Sequence, residues 1–114
     1  MYRQIPLAMV ADKEFVPQAI LGVPPSALAE LRGLDFVKAY DDLDRFDGAA
    51  VSVEDKIPVL LKRYDGYPHN TTTLYLPAEI TDVDQITSLI RFVLERMWIP
   101  VEWITWERVN DPAL

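Results

Sequence analysis

The sequence predicts an α+β domain built on a single mixed or antiparallel sheet with two helices on one face. Three observations carry this prediction. One segment, Asp82 to Met97, repeats its apolar residues at helical spacing. Six short stretches are rich in β-branched and aromatic residues and are bounded by turn residues. The chain has 114 residues, half of them hydrophobic, which suffices for one core without disulfide or metal staples.

In chain order, residues 3–10 read as a first strand, weakened by Pro6 and therefore an edge or a bulged strand. Residues 11–25 contain Pro17, Pro24 and Pro25 and read as a long irregular connection. Ser26 is a natural N-cap and Gly33 a natural stop for a short helix over 27–32. Phe36 to Tyr40 reads as a strand, because Asp41, Asp42 and Asp44 would sit badly in a helix that continued through them. Residues 49–53 and 57–64 are two further strands separated by Glu54-Asp55-Lys56. The turn-rich run 65–70 then joins 57–64 to a strand over 71–76 as a hairpin.

The helix over 82–97 is capped by Thr81 or Asp82. It carries Val83, Ile86, Leu89, Ile90, Val93, Leu94 and Met97 on one arc, and Pro100 ends it. Residues 101–109 form a last strand, and 110–114 a loose tail. The strand–helix–strand unit 71–109 suggests that its two strands run parallel, so the element order is loosely ferredoxin-like with an extra strand, all in one domain spanning 1–114.

Composition excludes several functions. With no cysteine, thiolate catalysis, disulfides, iron–sulfur clusters and cysteine zinc sites are absent, and a cytoplasmic protein is expected. The net charge of −7, without any cluster of Lys and Arg, argues against binding to nucleic acid or an anionic membrane and leaves a basic protein partner open. Asp42, Asp44, Asp47 and Gly48 approximate a calcium loop, but Phe46 stands at the fifth ligand position and Glu54 falls one residue late, so a solvated acidic turn is expected and no metal. No phosphate loop, dinucleotide fingerprint or nucleophile elbow is present, and no cofactor is expected.

Two groups of residues remain as site candidates. Tyr64, Asp65, Tyr67 and His69 cluster in and beside the 64–70 loop, and His69, the single histidine, is the natural acid–base candidate near neutral pH. All three tryptophans lie at Trp98, Trp103 and Trp106. On a strand starting at Val101, Trp103 faces the helix while Ile104 and Trp106 point away, which marks Trp106, Ile104 and Trp98 as interface candidates. The first functional expectation is a small acidic interaction domain that self-associates, most simply as a dimer, and binds a protein partner. The second is a small-molecule-binding domain with an aromatic pocket beside the 64–70 loop, and the third a hydrolase or isomerase.

Overall fold

The computed structural model describes residues 1–113. Strand β1 (Tyr2–Ile5) ends at Pro6, after which Leu7–Val10 makes a 3-10 turn. Then follow β2 (Phe15–Leu21), α1 (Pro25–Arg32), β3 (Val37–Tyr40), β4 (Arg45–Val53), β5 (Ile57–Tyr64), β6 (Thr72–Pro77), α2 (Val83–Arg96) and β7 (Ile104–Glu107). One seven-stranded sheet holds all the strands in the order β1-β4-β5-β6-β2-β7, with every pairing antiparallel. β1 and β3 share one edge of the nine-residue β4, β1 against Ala50–Val53 and β3 against Arg45–Gly48. The fold is therefore α+β with an antiparallel sheet and two α-helices. β6 and β7, which flank α2 in the chain, run parallel but do not touch, because β2 lies between them.

Pleating divides the core in two. Val51, Val53, Val59, Leu61, Leu74, Leu76, Ala19 and Leu21 join Leu28 of α1 and Ile86, Ile90, Val93 and Leu94 of α2 in one buried cluster. The alternate residues Phe46, Ala50, Leu60, Tyr64 and Tyr75 form a second, smaller cluster with Ile5 and Val10. Residues 7–14 link β1 on one side of the sheet to β2 on the other, and Leu7 and Val10 pack on this second cluster on the way.

Helix α2 follows its periodicity closely. Oδ2 of Asp82 accepts from the Gln85 backbone N–H at 2.9 Å, which satisfies one of the free donors of the first turn. Val83 lies on the expected arc, in the first turn of the helix, yet is mostly exposed. At the other end the Ile99 N–H bonds to the Leu94 carbonyl and the Trp98 N–H to the Glu95 carbonyl, a Schellman closure. Its left-handed position, normally glycine, is occupied by Trp98 at φ 58°, which costs about 1–2 kcal/mol for a side chain with a Cβ. Helix α1 stops where expected, at Gly33 with φ 67°, but Pro24 and Pro25 begin it in place of a Ser26 cap.

Four stretches differ from the sequence reading. Residues 7–10, expected within a strand over 3–10, make a 3-10 turn because Pro6 ends β1, and β4 begins at Arg45, ahead of the expected strand over 49–53. Residues 15–21 form an interior strand where the prolines suggest an irregular connection. A bulge between Pro17 and Ala19 absorbs the residue without an N–H, and β7 pairs only with Ala19–Leu21. The last strand is shorter than 101–109, because Val101–Trp103 makes a 3-10 turn after Pro100. Among the described residues no helix is long and apolar enough to cross a membrane.

Candidate functional site

The second cluster floors a groove. Two adjoining hollows of about 380 and 590 Å³ share Lys13, Asp41, Leu60 and Lys62. The linker 7–14 walls one side. The β3–β4 loop, Asp41 to Leu43, walls the other, and Tyr67 stands at the rim. Leu60, Lys62 and Tyr64 all reach the groove because they alternate with the helix-side residues Val59 and Leu61 along β5.

Lys62 is the centre of the site. Its side chain is only 14% exposed. The ammonium lies 4.4 Å from the centroid of Phe46, 5.2 Å from that of Tyr75 and 5.4 Å from that of Tyr64, within reach of all three π faces. Its polar partners are distant: Oδ2 of Asp41 at 3.5 Å and the Tyr64 hydroxyl at 3.4 Å. A lysine has three N–H donors, and two long contacts leave this one with capacity for an acceptor.

Asp41 has no such capacity. Oδ1 accepts from the backbone N–H groups of Leu43 and Asp44, and Oδ2 accepts from the Tyr64 hydroxyl at 2.6 Å and from Lys62. Burial raises its carboxyl pKa, but these donors together, led by Tyr64, outweigh burial and hold it below the usual carboxylate range. Burial, then the hydrogen bond to Asp41, pushes the Tyr64 hydroxyl far above its ordinary value. Burial also pushes Tyr75 up to about 12, with the charges of Tyr67 and Asp41 adding to it. At neutral pH the groove thus presents a carboxylate already engaged, two protonated phenols and a cation.

The sequence candidates divide around this groove. Tyr64 lies in its floor and Tyr67 at its rim, their ring centroids 5.4 Å apart. Asp65 turns away to Lys38, its Oδ1 3.3 Å from Nζ. His69 is exposed in the β5–β6 connection, makes no hydrogen bond to the described residues and does not line the groove, so neither Tyr64 nor Asp65 orients it. Lys62, Phe46, Tyr75 and Asp41 were not singled out by type or motif. Their one signal was strand alternation, which puts Lys62 and Tyr64 on one face. Among the described residues no three His, Cys, Asp or Glu side chains converge as a metal site requires.

The tryptophans divide as well. Ile104 and Trp106 face opposite ways, because a register shift in β7 pairs Trp106 with Ile20 and Ile104 with Leu21. Ile104 packs on the helix-side cluster, as does Trp103. Trp106 is half-buried, and its Nε1 donates to Oδ2 of Asp111 at 2.7 Å in the segment expected to be loose. Only Trp98 is fully presented, 78% exposed. Comparison with protein-family models, curated proteins and solved structures finds no match.

Proposed function

We propose that the protein binds a small, ring-bearing molecule in the groove, on the sheet face that the two helices leave free, with an oxygen acceptor of the ligand on Lys62. The observation that carries this reading is the Lys62 ammonium, largely buried among three rings yet held by polar contacts no shorter than 3.4 Å. The volume of the larger hollow, about 590 Å³, falls in the range of small-molecule sites. The aromatic floor supplies apolar contact, and Lys62 supplies the directional polar group. The α+β fold by itself adds no weight, since one layout hosts many functions. A cysteine-free composition supports a cytoplasmic setting. Catalysis has less support than binding, because His69 stands apart from the groove.

The test is a titration of isotope-labelled protein with small aromatic carboxylates and phenols, benzoate and phenol among them. Shift changes should centre on Lys62, Tyr64, Tyr67 and Tyr75, and Lys62→Met should weaken binding about tenfold or more, the loss of one hydrogen bond to a charged group. Shifts scattered away from the groove, or an affinity unchanged by Lys62→Met, count against the reading.

Self-association is a second reading. It keeps the support of one of its three candidate residues, Trp98, which is 78% exposed at a left-handed position normally taken by glycine.

A further inference from the structure

We infer that the groove takes an elongated ligand with two arms: an aryl ring on one side of β5, a short aliphatic chain on the other, and a carbonyl between them on Lys62. This rests on the reading of the groove as a small-molecule site and names the class of molecule, an aryl amide, ester or ketone with an alkyl arm.

Sheet topology sets the two hollows side by side. The strands flooring the smaller one are β3, β4 and β5, which supply Ala39, Phe46 and Leu60. Those flooring the larger one are β5, β6 and β2, which supply Tyr64, Tyr75 and Phe15. β5 is the strand they share, through Leu60 and Lys62. The hollows therefore succeed each other across the strands. The Lys62 ammonium marks the boundary, 4.4 Å from the Phe46 centroid on the β4 side and 5.2 Å from that of Tyr75 on the β6 side.

The two sides differ in what they offer. Away from the shared residues, the smaller hollow, about 380 Å³, is lined mainly by the aliphatic side chains of Leu7, Ala8, Val10, Ala11 and Ala39. Of its two rings, Phe46 is taken up by the ammonium and Tyr40 is 82% exposed. The larger hollow, about 590 Å³, is lined by Phe15, Tyr64, Tyr67 and Tyr75. A flat ring packs offset or edge-on against aromatic side chains, which favours it over a chain there. A chain gains from apolar area alone and needs no such partners. The ring thus goes to the larger hollow and the chain to the smaller.

The position of Lys62 fixes the linking group. An acceptor at the boundary has one arm on each side of it. A carboxylate or a phenol hydroxyl ends a molecule, whereas a carbonyl within the molecule accepts from the ammonium and carries both arms. From above β4 to above β6 is two strand spacings, about 10 Å, which a benzoyl group bearing a chain of about four carbons covers.

Titration of isotope-labelled protein with benzamide and N-butylbenzamide, followed by NMR, tests this. Benzamide should shift Lys62, Tyr64, Tyr67 and Tyr75. N-Butylbenzamide should bind about tenfold or more tighter, from burial of the chain, and should add shifts at Leu7, Val10 and Ala39. Ala39→Leu fills the smaller hollow and should cancel that gain while benzamide binds as before. Ala8→Leu, at an exposed position lining the same hollow, should do the same and replaces Ala39→Leu if the latter lowers the melting temperature. Groove shifts with benzamide but no gain from the butyl chain, or a gain that survives both substitutions, overturn the inference alone. Benzamide shifts centred on Leu7 and Val10 reverse the arms and overturn it too. Groove shifts with benzoate but with neither amide make the acceptor terminal, and again the inference falls while the groove reading stands. No groove shifts with either amide, benzoate or phenol overturn the groove reading and this inference together.

Discussion

The hydroxyl of Tyr64 donates to Oδ2 of Asp41 at 2.6 Å, joining residues 23 apart in the chain. This bond ties the β3–β4 loop to the end of β5 and so fixes one wall of the groove to its floor. Tyr64→Phe keeps the ring and removes the donor. It should destabilise the protein by about 1–2 kcal/mol, a charge-assisted bond discounted for the partial exposure of Asp41. Denaturant unfolding measures the loss, and amide exchange at Leu43 and Asp44 should accelerate, since their N–H groups also rest on Asp41. Unchanged exchange there would show that the loop is held by something else.

Stability should fall in alkali. The raised folded-state values of Tyr64 and Tyr75 favour the neutral phenols, so their contribution is complete below the unfolded tyrosine pKa of about 10. It is lost as pH rises from there through the folded value of Tyr75, about 12, and beyond for Tyr64. Asp41 acts in the opposite direction: its lowered value stabilises the fold above the ordinary carboxylate range and ceases to do so as acid protonates it. Phenolate absorbance followed alongside circular dichroism checks the alkaline limb. Two tyrosines should ionise only as the fold is lost, and Tyr75→Phe should shift that limb to higher pH.

The register of α2 makes a paired prediction. Ile90 is fully buried, and Ile90→Ala should cost about 2–5 kcal/mol. Val83 lies on the same arc of the helical wheel but is 56% exposed, so Val83→Ala should stay within about 0.5 kcal/mol. Equal losses at the two positions, read from urea midpoints, would contradict this packing.

These residues show what the sequence made legible. Periodicity located α2, and alternation located β5 with Tyr64 at its end, because both patterns follow from which face is buried. β2 was hidden by Pro17, whose missing N–H is absorbed by a bulge that no local rule announces. The facing of Ile104 and Trp106 was missed for the same kind of reason, since a shift in β7 reverses one of the two. At the site, Tyr64 and Tyr67 were visible as aromatics beside a turn. The Lys62 cage was not, because it depends on the pairing of β4, β5 and β6, and cross-strand register is not a property of any one segment. His69 drew notice by its chemistry, which says nothing about where its loop points.

The cage depends on a residue with no side chain, and this gives the most specific prediction. Gly48 on β4 pairs directly with Lys62 on β5. Phe46, two residues before Gly48 and on the same face, lays its ring across the bare position, so that a Cβ on Gly48 would fall 2.6 Å from its Cε1. That placement brings the ring within 4.4 Å of the Lys62 ammonium. Gly48→Ala must therefore displace the ring, which is rigid and buried, and should cost about 1–3 kcal/mol as overpacking. Gly66→Ala is the control, since its added Cβ would meet nothing nearer than Oδ2 of Asp44 at 3.8 Å, and it should change stability by no more than about 0.5 kcal/mol. The cause is separable by a double-mutant cycle. In a Phe46→Ala background, where no ring covers the position, Gly48→Ala should lose most of its cost, so the two substitutions should be strongly non-additive. Additive losses would mean that Gly48 is required for another reason. If the groove binds through Lys62, Gly48→Ala should weaken that binding as well, by moving one of the three rings around the ammonium while leaving the lysine itself in place.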